Sequence, residues 1–227
     1  MAYVELARAS SDRGDLVLRQ RTSATGPSVL ELRANGVFVM DSAETATEQA
    51  LATAALELCE DPRDVLVGGL GLGYTMHAVL GDGRVERCSV VEIEQALVDW
   101  MRDGTIPHGP GLLADERVTV VVADISLALA EAGARTFDLV LLDVDNGPGY
   151  LVHESNAALY DAPFLRVVRH VLRPGGVLVI WSAAEAPSLL ATLREEVGDA
   201  EERAHEVALQ DRDERYWLYV ARVASHA

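Results

Sequence analysis

From residue 64 onward, short apolar runs alternate with longer stretches of helical periodicity. Runs at 64–68, 86–92, 117–123, 137–143 and 176–181 read as strands, and 73–80, 94–102, 125–133, 156–172 and 186–197 read as helices. The strand runs are apolar at successive positions, so both of their faces are buried. That pattern predicts an α/β fold: a doubly wound sheet of mostly parallel strands covered by helices on both sides. Arg173-Pro174-Gly175-Gly176 is a helix stop ahead of a buried strand. Two further runs, 205–209 and 216–223, flank Asp211-Arg212-Asp213-Glu214 and predict a C-terminal antiparallel hairpin on one edge.

The first forty residues are patterned differently. Leu16-Val17-Leu18-Arg19-Gln20-Arg21, Ser28-Val29-Leu30-Glu31-Leu32 and Val37-Phe38-Val39-Met40 are short strand candidates, separated by Thr25-Gly26-Pro27 and Asn35-Gly36. Asn-Gly between apolar runs is a strong hairpin signal. An alanine-rich helix over 43–60 follows, with Ala50, Leu51, Ala54 and Leu58 on one face. We therefore expect a small N-terminal β-hairpin region over 1–42 and a catalytic α/β domain over 43–227.

The sharpest chemical signal lies where the first α/β strand ends, at Val65-Leu66-Val67-Gly68-Gly69-Leu70-Gly71-Leu72-Gly73. Gly69 and Gly71 let the backbone turn and approach a ligand without a Cβ, and Gly73 sits where the next helix packs on the strand. The next strand ends Val90-Val91-Glu92, which places a carboxylate where it can accept both hydroxyls of a ribose. A dinucleotide fingerprint fails in both frames, because its last position falls on Tyr74 or Met76. A P-loop fails because Tyr74-Thr75 stands where lysine is needed. With no Lys or Arg near the loop to neutralise phosphate, the spacing suits a nucleoside carrying a positive sulfonium.

Two more strand tips carry carboxylates. Asp124 follows Val120-Val121-Val122-Ala123, where it can accept an adenine's exocyclic amine, with Ile93 and Ile125 holding the ring between them. It can equally cap the helix that begins at Ile125. Asp143-Val144-Asp145 ends the most apolar strand and opens the loop Asn146-Gly147-Pro148-Gly149-Tyr150. Two residues apart on extended backbone, Asp143 and Asp145 point to one side, where one could take a proton from a nucleophile while the other orients it. Tyr150, His153 and Asn156 are candidates for an acceptor pocket; His77, His108 and His170 have no partners at ligand spacing and read as structural, and no metal site is expected.

These residues resemble the spermidine synthase family, within the class I S-adenosylmethionine-dependent methyltransferase fold with its Rossmann-like sheet. The similarity covers most of the chain and is strongest over 64–182; the N-terminal hairpins and the acidic helix bearing Glu48 fit it too. It implies Glu92 on the ribose, Asp124 on the adenine amine and a proton-accepting aspartate after Leu142. The departures fall on the polyamine side. The family's loop reads G-G-G-D-G-G, its aspartate facing the cofactor's aminopropyl amine, and Gly71 stands at that position here. The D-x-x-D-P-x-G-P loop is shortened, the glutamine after the Asp-Gly turn is matched by Val39, and the tyrosine of the Y-x-E motif by Ala46. Losing an amine-facing aspartate removes a discrimination against the amino-acid carboxylate. The first expectation is thus an S-adenosylmethionine-dependent methyltransferase acting on a small acceptor. The second is an aminopropyltransferase using decarboxylated S-adenosylmethionine and a cationic diamine. A non-catalytic nucleoside-binding protein is the third.

Charge narrows the partners. Nineteen basic against 36 acidic residues give a net −17, which repels nucleic acid and anionic membrane and favours a cationic small molecule. Cys59 and Cys88 lack metal spacing and read as buried free thiols of a reducing cytosol. The N-terminus lacks the charged and apolar regions of a leader, and no apolar run is long enough to span a bilayer, so a cytoplasmic protein is expected, with a homodimer compatible with the pattern.

Overall fold

The computed structural model describes residues 2–22, 26–209 and 212–225. Four antiparallel strands come first and pair in chain order: β1 (Ala2–Ser11), β2 (Gly14–Thr22), β3 (Val29–Ala34) and β4 (Val37–Asp41). Asn35 and Gly36, at φ 52° and 78°, make the predicted turn between β3 and β4. β1 has no counterpart among the predicted strands. Nearly all of its residues are exposed, so it carries no buried stripe to betray it. Leu16, Leu18, Leu30 and Leu32 point the other way and join one continuous core with Leu51 and Ala55 of α1 (Ala46–Leu58) and with Leu72 and Met76.

The main sheet contains β5 (Asp64–Gly68), β6 (Arg87–Glu92), β7 (Val118–Val122), β8 (Phe137–Leu142), β9 (Leu172–Ser182), β10 (Asp199–Leu209) and β11 (Arg212–Arg222). Their spatial order is β10-β11-β9-β8-β5-β6-β7. The five strands from β5 to β9 run parallel, while β11 is antiparallel to β9 and to β10. Alternate residues feed two cores. Val65, Val67, Val90, Leu139 and Leu141 face one side, packed with α1, α2 (Tyr74–Leu80) and α3 (Gln95–Asp103). Leu66, Val91, Val140, Leu142 and Ile180 face the other, under α5 (Ile125–Glu131), α6 (Ala162–Val171) and α7 (Pro187–Glu196). This double burial is why the strands read as unbroken apolar runs.

Several element boundaries differ from the sequence pattern. The C-terminal hairpin is longer than expected: β10 begins at Asp199 rather than 205, and β11 begins at Arg212, inside the stretch read as its turn. The helix expected over 156–172 is two pieces, a 3-10 segment Glu154–Tyr160 and α6, because Asp161 is extended and Pro163 opens a new first turn. The short helix α4 (Gly109–Leu113) lies in a Gly-Pro-Gly stretch that reads as loop. Arg173-Pro174-Gly175-Gly176 does follow the end of α6, but β9 begins at Leu172 and runs straight through it. Cys59 and Cys88 are buried free thiols. Among the described residues, no helix is long and apolar enough to cross a membrane.

β5 lies where the winding reverses: the chain leaves it towards β6 and β7, then crosses back to β8 and β9. The crevice beyond its carboxyl end is the natural ligand position of such a sheet.

Candidate active site

The loop after β5 is built on glycine geometry. Gly69, Gly71 and Gly73 have φ of 92°, 49° and 86°, a region that side chains rarely adopt. A Cβ on Gly69 would overlap the Asp143 carbonyl oxygen, and one on Gly73 would lie 2.8 Å from the Met101 Cε. Gly69 and Gly71 line a cavity; Gly73 lies beneath it, against Met101 and Leu112.

Glu92, at the tip of β6, is buried at 6% exposure yet borders that cavity. Its Oε2 accepts from the Leu70 amide and its Oε1 from the Glu94 amide, both at 2.8 Å. Burial pushes its carboxyl above the usual range, against the pull of those two amides. Each oxygen keeps a further lone pair for a ribose hydroxyl. Beside it, Ile93 and Ile125 border the same cavity. Asp124 is the cap of α5: its Oδ1 accepts from the Ser126 amide at 2.7 Å and the Ser126 hydroxyl at 2.6 Å. Among the described residues its Oδ2 has no partner, so capping leaves an acceptor for a ligand.

Asp143 and Asp145 diverge. The Asp143 amide continues the sheet to Gly68, and its Oδ2 accepts from the Thr75 hydroxyl at 2.8 Å. Burial raises its carboxyl, opposed by that hydrogen bond. Asp145 is not extended: its φ is 63°. Its Oδ1 accepts from the Asn146 and Val152 amides at 2.7 and 2.6 Å, and its Oδ2 from the His153 amide at 3.2 Å and the Asn156 side chain at 2.7 Å. Both aspartates border the cavity, but Asp145 is tied into its own loop.

Three contributors escaped the sequence reading, and a fourth, Glu48, was named there only through the family resemblance. Thr75 needs the three-dimensional pairing of α2 with β8 to meet Asp143. Met40, from β4, lays its thioether over the glycine loop, with Sδ 2.7 Å from where a Cβ of Gly71 would stand and accepting from the Leu72 amide at 3.2 Å. Arg13, on the β1–β2 turn, borders the cavity and pairs with Glu94 at 3.6 Å. Glu48, in the first turn of α1, is buried at 8% exposure; Thr47 donates to its Oε2 at 2.9 Å. Burial, then the nearby Asp143 charge, pushes the Glu48 carboxyl up to about 7. The acidic helix was the one visible signal for Glu48. His108 braces the loop, its Nε2 at 2.6 Å from the Leu72 carbonyl and its ring 5.2 Å from Tyr74.

A second cavity adjoins the first and is lined by Asp41, Glu44, Phe38, Tyr150 and Tyr216. Tyr150 thus borders the second space, while His153 and Asn156 border the first. The first cavity fits a nucleoside on this chain's own features: glycine backbone along one side, a buried strand-tip carboxylate with free lone pairs, and Ile93 and Ile125 on its lining. Its arginine, Arg13, is engaged by Glu94 at 3.6 Å.

A family model described as the spermine/spermidine synthase domain matches residues 44–207. The chain is 31% identical over 144 residues to polyamine aminopropyltransferase 2 of Pseudomonas aeruginosa, covering 62% of this chain and 39% of that protein. It is 30% identical over 175 residues to putrescine N-methyltransferase 3 of Nicotiana tabacum, covering 76% of this chain and 43% of that protein. The chain therefore spans less than half the length of these two curated relatives. Among solved structures, the spermidine synthase of Thermotoga maritima superposes with a TM-score of 0.78 at 17% identity, over 96% of this chain and 72% of that one. At that identity the likeness speaks for the fold.

Proposed function

From a chain that belongs to the spermine/spermidine synthase domain family, we propose an aminopropyltransferase: an enzyme that uses decarboxylated S-adenosylmethionine and an amine acceptor. The observation that carries this reading is the pair of shielded carboxylates, Glu48 and Asp143, bordering the cavity beside the glycine loop. They favour an ammonium and disfavour the amino-acid carboxylate of intact S-adenosylmethionine. The loss of an aspartate at position 71 pointed the other way on sequence alone. With the site assembled, Met40 covers that position and, among the described residues, the cavity's one basic residue, Arg13, is paired with Glu94, so methyl transfer takes second place. It keeps that place because the tobacco relative is named a putrescine N-methyltransferase.

In this reading Glu92 accepts from the ribose hydroxyls, the Oδ2 of Asp124 from the adenine amine, and Ile93 and Ile125 hold the ring. Gly69 and Gly71 border the ligand's cavity with their backbone. When bound, the cofactor supplies a carbon made electrophilic by its sulfonium. Asp143, anchored by Thr75, supplies fixed negative charge that draws the amine into line, so that rate comes chiefly from positioning and preorganised charge. Asp145 holds the loop that carries Asp143 by accepting its amides.

The test is side-by-side calorimetry of intact and decarboxylated S-adenosylmethionine. The decarboxylated form should bind at least about tenfold more tightly, the equivalent of about 1.4 kcal/mol. Equal affinity, or preference for the intact form, would hand the site to methyl transfer.

A further inference from the structure

At the far end of the main sheet from the glycine loop, we infer a second ligand site, a basic concavity that binds a compact, phosphate-rich anion. It owes nothing to the chemistry of the nucleoside cavity.

The concavity lies at the amino-terminal ends of β8 and β9 and has a volume of about 480 Å³, within the range of small-molecule sites. Arg135, Arg166, Arg169 and His170 border it, with Leu172 and Pro174 in its apolar lining. Among the described residues no aspartate or glutamate borders it, in a chain of 36 acidic and 19 basic residues. Both cavities at the opposite end are bordered by carboxylates.

Two segments build the cluster. Arg166, Arg169 and His170 stand at i, i+3 and i+4 on α6 and share an exposed face, while Leu165, Val168 and Val171 are buried on the other. Arg135 joins them from the turn before β8: its amide donates to the His170 carbonyl at 3.0 Å, and the Thr136 amide to the Val171 carbonyl at 2.8 Å. Like charges so spaced repel, and the fold does not call for them. The Val168, His170 and Val171 carbonyls already accept from the Leu172, Arg135 and Thr136 amides, so no side chain is required to cap the end of α6. The helix dipole favours Arg169 and His170 in the last turn but not Arg135, which is off the helix. Arg166 spends its Nε on Glu196 at 3.0 Å and keeps its terminal nitrogens as donors. Among the described residues, Arg135 and Arg169 make no ion pair. Arg135 also holds a φ of 54°, a left-handed conformation that glycine and asparagine adopt readily and arginine rarely.

Guanidinium groups fork onto phosphate oxygens, and several at one concavity match an anion whose charges lie close together. The net charge of −17 decides the size of that anion. A nucleic acid or an acidic protein surface would meet repulsion along its whole length. A compact anion meets the arginines at contact, while charges beyond about 10 Å are screened at 0.1 M salt.

Tripolyphosphate titrated into the full chain by calorimetry should bind at one site with a Kd below about 1 mM. Arg135→Asn and Arg169→Gln should each weaken binding at least about tenfold. Arg102→Gln, an exposed change on α3, should alter it by less than about twofold. Because asparagine suits the backbone at 135, Arg135→Asn should melt no lower than wild type, which separates lost binding from lost fold. Saturating S-adenosylhomocysteine should leave the affinity within about twofold, whereas competition between the two would put the anion in the nucleoside cavity and overturn the proposal. Citrate, with carboxylates in place of phosphates, should bind at least about fivefold more weakly; equal affinity would overturn the phosphate assignment. Failure to saturate with a Kd below about 1 mM, or binding that survives both arginine substitutions at the concavity, overturns the site itself.

Discussion

Glu92 is asked to do two things: to tie the glycine loop to β6 through the Leu70 amide, and to leave lone pairs for a ribose. Replacing Glu92 with alanine should remove charge-assisted contacts worth about 1.5–3 kcal/mol, a loss of about tenfold to a hundredfold in affinity for S-adenosylhomocysteine. Titration calorimetry, with a thermal melt showing the variant folded, reads this directly; unchanged affinity would sink the nucleoside assignment. The places of Glu92 and Asp124 beyond their strands were legible in the sequence because a residue at the end of a parallel strand has its place set by the strand itself. Thr75 and Met40 were not, and Glu48 was visible only through the family resemblance. Each of the three matters only through a neighbour from another element, Asp143 for Glu48 and Thr75 and Gly71 for Met40, and no local spacing encodes those meetings.

Among the elements, the loop after β8 shows how a short segment fixes a reactive group. Four donors converge on the Asp145 carboxylate, three of them backbone amides. Its φ of 63° suits asparagine as well as aspartate, so Asp145→Asn changes the hydrogen bonding and leaves the backbone preference alone. An amide keeps one acceptor oxygen and turns an NH2 towards donors. We expect the Val152 and His153 amides to lose at least about tenfold in hydrogen-exchange protection, with about 1–3 kcal/mol lost from the segment. In Asp143→Asn those amides should stay protected. If exchange is the same in both variants, the loop is held by something other than Asp145. The strands β5 to β8 could be read from their apolar runs to within a residue, whereas β9, β10 and β11 extend four to six residues further towards their N-termini than the apolar runs show. The solvated edge strand β1 could not, because its residues bury too little to leave a periodic trace. The break before α6 was written in Pro163, but the apolar run on either side masked it.

At the scale of the whole molecule, the sequence pattern predicted the layers but not how the small sheet sits. We read 1–42 as a wall of the active site, since Leu16 and Leu32 border the cavity and, with Leu18 and Leu30, share one core with α1. That placement brings Arg13, Asn35 and Met40 to the cavity's lining, which composition and periodicity could not foretell. Net charge acts at the same scale and could be read at once. A charge of −17 surrounds a crevice whose own lining includes Asp41, Glu44, Glu48 and Asp143. Such a field gathers cations from solution, yet its reach is set by salt, with a screening length of about 10 Å at 0.1 M falling to about 3 Å at 1 M. The contact charges inside the cavity are screened far less. A doubly charged diamine should therefore lose its long-range attraction as salt rises and keep its short-range pairing. Between 0.05 and 0.5 M sodium chloride, the apparent affinity for 1,4-diaminobutane should weaken on the order of tenfold. S-adenosylhomocysteine, a zwitterion without net charge, should change by less than about twofold. Equilibrium binding of both ligands across that series decides the matter. If the diamine's affinity is as indifferent to salt as the nucleoside's, the acidic surface plays no part in drawing in the acceptor and serves only solubility.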